Sequence, residues 1–89
     1  MRRGIERMVG DVLTEAKQKR LAPTRLGARC SVNYNFVDGL IKSGLLRVEQ
    51  TRNGKVTVLT EKGLQALAEY ESYQLRLSDF YKHFNGQDR

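Results

Sequence analysis

The sequence predicts a small α+β domain, mainly α: three short helices, a two-stranded antiparallel ribbon and a long last helix. Three observations carry that prediction. Apolar residues recur at helical spacing along the first part of the 89-residue chain. Asn53-Gly54 stands between two β-like runs, a strong local signal for a hairpin. Thr60-Glu61 then opens a long proline-free stretch with a capping residue at its head. A chain of this length forms one domain with a small core.

The first helix is predicted over residues 3–19. Ile5, Met8, Val9, Val12, Leu13 and Ala16 fall at i, i+3, i+4, i+7, i+8 and i+11, which is one helical face. Gly10 lies inside the pattern and costs about 1 kcal/mol against alanine, a cost that close helix packing would explain. Pro23 holds Ala22 out of α geometry. Leu21-Ala22-Pro23 is therefore extended and is placed to add a short third strand. A second short helix covers residues 24–29, opened by Pro23 or Thr24 and anchored by Leu26.

Cys30-Ser31-Val32 forms a turn, and either Ser31 or Asn33 can cap the third helix, about residues 33–43. Its apolar face is Phe36, Val37, Leu40 and Ile41, and Gly44 closes it in the left-handed conformation. Residues 46–52 and 55–59 make the ribbon. A two-residue turn at Asn53-Gly54 pairs Val48 with Leu59 and Gln50 with Thr57, and turns Leu46, Val48, Thr57 and Leu59 inward. The last helix runs from Glu61 to about Phe84. Leu64, Leu67 and Ala68 form its core stripe. Beyond them Tyr70, Tyr73, Leu77, Phe80 and Phe84 repeat with spacings 3, 4, 3, 4, a heptad seam suited to pairing with a second copy.

Helix, helix, helix, ribbon, helix is the order of a winged helix-turn-helix. The expected layout is a winged DNA-binding region over residues 1–63, a dimerisation helix over 64–84 within the same domain, and a disordered tail over 85–89.

Charge is uneven. Residues 1–60 hold twelve Lys/Arg against five Asp/Glu, a surplus of seven, whereas residues 61–89 hold four against five. A basic front and a near-neutral tail fit a polyanion-binding part and a part that packs on an uncharged surface. Enzyme chemistry is not expected. His83 is the lone histidine and Cys30 the lone cysteine, so no metal-ligand spacing exists, and no glycine-rich phosphate loop or nucleophile elbow is present. No cofactor is expected. Neither a membrane span nor a secretion signal is expected, which leaves a cytoplasmic protein.

Arg25 and Arg29 lie one turn apart on the second helix and share a face. With Lys42 and the ribbon-tip residues Arg52, Asn53 and Lys55, and with Arg2, Arg3, Arg7, Lys17, Lys19 and Arg20 around the first helix, they are candidates for contact with phosphates, which orient a protein without reading sequence. Ser31, Asn33, Tyr34 and Asn35 surround the start of the third helix. Asparagine can pair bidentately with adenine, and Asn35 is the preferred base reader because Asn33 is better suited to capping than to base contact.

Residues 23–63, with Asn33-Tyr34 before the recognition helix, Gly44-Leu45-Leu46 before the ribbon and Leu59-Thr60-Glu61-Lys62-Gly63 after it, resemble archaeal winged-helix DNA-binding proteins and the wider MarR/PadR-like regulator superfamily. The resemblance implies duplex DNA binding in transcription or chromosome organisation. It also implies an antiparallel coiled-coil homodimer through the last helix. From Asn33 to Gly44 the span is about one helical turn shorter than in the archaeal group and nearer the MarR-like spacing. The expected function is sequence-specific double-stranded DNA binding by a homodimeric transcriptional regulator. A protein-binding winged helix and a non-specific architectural chromatin protein are the alternatives.

Overall fold

The computed structural model describes the backbone of residues 4–87 and the side chains of residues 4–80. The elements follow the order α1 (Ile5–Gln18), α2 (Pro23–Cys30), α3 (Tyr34–Lys42), β1 (Leu46–Thr51), β2 (Gly54–Leu59) and α4 (Glu61–Gln87). Pro23 occupies the first turn of α2, where its missing N–H costs nothing. Ser31 takes the left-handed conformation (φ 57°) as the C-cap of α2, so it is not the cap of α3. That role falls to Asn33, whose Oδ1 accepts from the Phe36 N–H at 2.9 Å. Gly44 turns the chain out of α3 at φ 87°.

One core joins the elements: Val12, Leu13 and Ala16 of α1, Leu26 and Cys30 of α2, Val37 and Leu40 of α3, Leu46 of β1 and Leu67 of α4. The extended segment before α2 joins the ribbon as expected. Leu21 bridges Thr57, and the Thr57 N–H donates to the Leu21 carbonyl at 2.8 Å.

The ribbon differs from its predicted register. Leu46 pairs with Leu59, Val48 with Thr57 and Thr51 with Gly54, a shift of two residues. Arg52 and Asn53 form the tip with negative φ, and Gly54 alone carries the positive value, 124°. The Thr51 hydroxyl donates to the Gly54 carbonyl at 2.6 Å and closes this turn. A shift of two keeps every side chain on its face, so Thr57 is still fully buried. Val48, expected inward, is 39% exposed. α1 and α2 pack on β2, while β1 meets α3, and their cover stops short of Val48.

α4 is rotated relative to the expected stripe. Its inner face is Gly63, Ala66, Leu67 and Tyr70, whereas Leu64 is 47% exposed and Ala68 is also exposed. The cause lies at its start. The Thr60 hydroxyl accepts from the Gly63 N–H at 3.0 Å and donates to the Gly44 carbonyl. Gly63 then lies so close to the Leu45 carbonyl that a Cβ would overlap it. These contacts set which side of the helix faces inward. Tyr70, expected at the head of the dimer seam, is partly buried and packs against the core, with its ring over Gly10. Ile5, expected on the buried face of α1, is exposed.

The helix continues to Gln87, three residues beyond the expected end, so residues 85–87 are helical rather than tail. The side chains of His83 and Phe84, and residues Arg2, Arg3, Asp88 and Arg89, lie outside the described residues. A radius of gyration of 15.4 Å exceeds the about 12 Å of a compact chain of this length. The outer part of α4 projects from the body.

Candidate nucleic-acid interface

α3 presents its apolar residues to the core and a polar arc to solvent. At 100° per residue, Asn35, Asp38, Gly39 and Lys42 fall within about 100° of one another, opposite Phe36, Val37, Leu40 and Ile41. Val37 and Leu40 are buried and Phe36 and Ile41 half-buried, while Asn35, Gly39 and Lys42 are exposed. Tyr34 flanks this arc at 50% exposure. The Asn35 side chain has no hydrogen-bond partner among the described residues. Asn33 has committed its Oδ1 to the cap, which leaves its amide N–H₂ outward. Ser31 is exposed one turn earlier, where its left-handed backbone lets α2 end and α3 begin.

The expected cations divide into two sets. Arg25, Arg52 and Lys55 are exposed and have no ion pair among the described residues, and Asn53 is exposed between the latter two. Arg29 is held: its Nε donates to Glu15 Oε2 at 3.1 Å, tying α2 to α1. Lys42 is paired with Asp38 at 3.0 Å, one turn back on the same face. The hydrogen bond that the Lys42 ammonium donates to Asp38, and then the carboxylate's charge, raise the Lys42 pKa from its ordinary value. Lys42 therefore remains a cation at neutral pH, and it is almost fully exposed. Arg47, absent from the expected set, pairs with Glu49 along β1 at 2.8 Å. Exposed pairs of this kind contribute little to stability, and each can be exchanged for another anion at small cost.

Among the described residues no group of three or more His, Cys, Asp or Glu gathers as a metal site, and no helix is long and apolar enough to cross a membrane. Cys30 is a buried free thiol whose Sγ lies 3.7 Å from the Asp11 carbonyl. A groove of about 490 Å³ runs between the start of α1 and the middle of α4, lined by Ile5, Val9, Ala66, Tyr70 and Tyr73 among others. It was not foreseen, because it is made by residues more than fifty positions apart.

Solved structures share this arrangement of three helices, ribbon and long helix. Sso10a-2, a DNA-binding protein from Sulfolobus solfataricus, matches with a TM-score of 0.72 at 22% identity, over 97% of this chain and 94% of its own. The fold is a winged helix-turn-helix. ZitR of Lactococcus lactis matches with a TM-score of 0.68 at 12% identity, over 91% of this chain and 60% of its own. A winged-helix DNA-binding protein from STIV gives a TM-score of 0.54 at 29% identity, over 74% of this chain and 82% of its own. No family model matches the chain, and no curated protein matches it. In winged-helix terms α3 is the second helix of the helix-turn-helix and the β1–β2 hairpin the wing.

Proposed function

We propose that this winged helix binds double-stranded DNA with sequence preference, as a homodimeric transcriptional regulator of the archaeal coiled-coil kind, acting on the nucleoid in the cytoplasm. The observation that carries the reading is the outward arc of α3, which is polar and uncovered where a buried helix face would be apolar. Asn35 and Tyr34 enter the major groove from this arc, with Asn33 and Ser31 at its edge. Arg25, Arg52, Asn53 and Lys55 contact backbone phosphates or, at the wing, a narrow minor groove. Arg29 and Lys42 join them by exchanging carboxylate for another acceptor. The surplus of seven positive charges over residues 1–60 supports the choice of a polyanion.

α4 carries the second half of the reading. Past Tyr70 it leaves the body with Tyr73 49% and Phe80 59% exposed. Together with Leu77 they form an apolar surface continuous with the α1–α4 groove. Pairing with α4 of a second copy, antiparallel about a two-fold axis, removes that surface from water. In the sequence Phe84 continues the same 3, 4 spacing. The near-full mutual coverage with the Sulfolobus DNA-binding protein supports placement with that group.

The deciding experiment is duplex binding by anisotropy across a salt series, with sedimentation in parallel. A dimer that neutralises about six phosphates shows log affinity falling against log salt with a slope near −5. No binding to mixed duplex at low salt, or a flat salt response, would remove the reading.

A further inference from the structure

Gly10, Gly27 and Gly63 each have an internal reason to be glycine. A Cβ at Gly10 would overlap the Tyr70 ring, and one at Gly63 would overlap the Leu45 carbonyl. One at Gly27 would stand 3.0 Å from the Val32 carbonyl oxygen. Gly39 has no such reason. It sits mid-helix in α3 with ordinary helical geometry, and apart from its neighbours and its own helix backbone none of the described residues comes within 4 Å of where its Cβ would be. Glycine there weakens the helix relative to alanine and gains no contact within the chain. What it does provide is a gap on the outward arc, through which a partner's surface can approach the helix backbone.

The gap is flanked by an unusual pair for a helix facing polyanions. Asp38 is the one carboxylate on α3, and it lies 3.0 Å from the Lys42 ammonium on the same arc. A carboxylate only accepts hydrogen bonds and an ammonium only donates them. Side by side, they are the complement of a C·G pair seen from the major groove, where the cytosine N4 amino donor adjoins the guanine O6 and N7 acceptors. The contact between Asp38 and Lys42 is solvated and cheap to open, and both partners regain a charge-assisted hydrogen bond on the base pair.

We propose that Asp38 and Lys42 together read one C·G pair in each half-site, Asp38 accepting from the cytosine amino group and Lys42 donating to guanine, with Gly39 as the gap that admits the base edges. The inference rests on the duplex-binding reading above. It moves Lys42 from backbone contact to base reading and adds Asp38 and Gly39 to the interface.

The test selects preferred duplexes from a random pool with the full chain, its Asp38→Ala variant and its Gly39→Ala variant. Affinities are then measured for the preferred duplex and for the same duplex with T·A at the C·G position. The wild-type chain should favour C·G by about 5- to 150-fold, the range of one good base contact. Asp38→Ala should bring that ratio close to one while binding the T·A duplex at least as tightly as wild type, because a charge that repels phosphate is gone. Gly39→Ala should raise the melting midpoint yet weaken the preferred duplex. A merely structural Asp38–Lys42 pair predicts instead that Asp38→Ala keeps the C·G preference, and that result overturns the proposal. So does a Gly39→Ala variant that binds as well as wild type. Duplex binding by the wild type without a C·G preference removes this proposal alone; absence of duplex binding removes the underlying reading as well.

Discussion

The ring of Tyr70 in α4 occupies the space that a side chain at Gly10 in α1 would need. Two helices sixty residues apart in sequence are thereby brought together by the absence of one methyl group. The contact gives Gly10 its purpose and packs one side of the Tyr70 ring against the core. Gly10→Ala should destabilise the wild-type fold, since the ring must be displaced. In a Tyr70→Ala background the same substitution should stabilise it, by up to the roughly 1 kcal/mol that alanine gains over glycine in a helix. Urea denaturation of the four variants in the cycle measures the change of sign.

Gly63 faces a harder neighbour. The Leu45 carbonyl that it approaches also accepts from the Thr60 N–H at 3.2 Å, so the oxygen cannot move away without opening the start of α4. Gly63→Ala should cost at least about 2 kcal/mol despite alanine's better helix propensity, as expected for backbone overpacking. Thermal melts suffice to rank it well below Gly10→Ala.

Thr57 is fully buried, and its hydroxyl has no hydrogen-bond partner. Removing a buried unsatisfied polar group recovers about 1–3 kcal/mol of desolvation cost, and valine has nearly the same shape. Thr57→Val should therefore raise the unfolding midpoint. The Leu21 bridge is made by the backbone and should survive, as amide exchange at Thr57 can report.

At the interface two variants should separate in kind. Arg52→Ala with Lys55→Ala should weaken all duplexes alike and reduce the salt slope by about two. Asn35→Ala should leave the slope unchanged and erode sequence preference by about 1–3 kcal/mol at one position. Competition binding at two salt concentrations distinguishes them.

Leu77→Glu with Phe80→Glu places charges on the projecting face of α4. The double variant should sediment as a monomer at concentrations where the parent is dimeric. Its winged body should melt within a few degrees of the parent monomer's midpoint, because neither residue belongs to the described core. A variant that still sediments as a dimer would remove the seam from the account.

Much of the fold is legible in local chemistry. Pro23, the Asn33 cap, Gly44 and the Thr60-Glu61 start each act over a few residues, so element order and most boundaries could be read directly. Face assignments were readable where a helix has one buried side, as in α3. They failed where distant backbone decides. The rotation of α4 depends on Leu45, and so Gly63 faces inward while Leu64, expected in the core stripe, is exposed. The wing register depends on a threonine hydroxyl at Thr51, which outweighs the Asn53-Gly54 turn signal. For the candidate site, exposure of Asn35, Tyr34 and the wing residues followed from the helical period and the hairpin. The engagement of Arg29 by Glu15 joins two helices fourteen positions apart, and no spacing rule shows it.

Thr60 ties three places together: its hydroxyl joins the Gly63 N–H of its own helix to the Gly44 carbonyl of the turn, and its N–H donates to the Leu45 carbonyl. From that knot α4 extends 27 residues. A helix of that length is a lever of about 40 Å, so a 10° tilt at its root would swing the far end by about 7 Å. Whatever is fastened at the tip is thus gauged against α3 and the wing by a few atoms at the fulcrum, and a loose root would blur the spacing between anything held at the two ends.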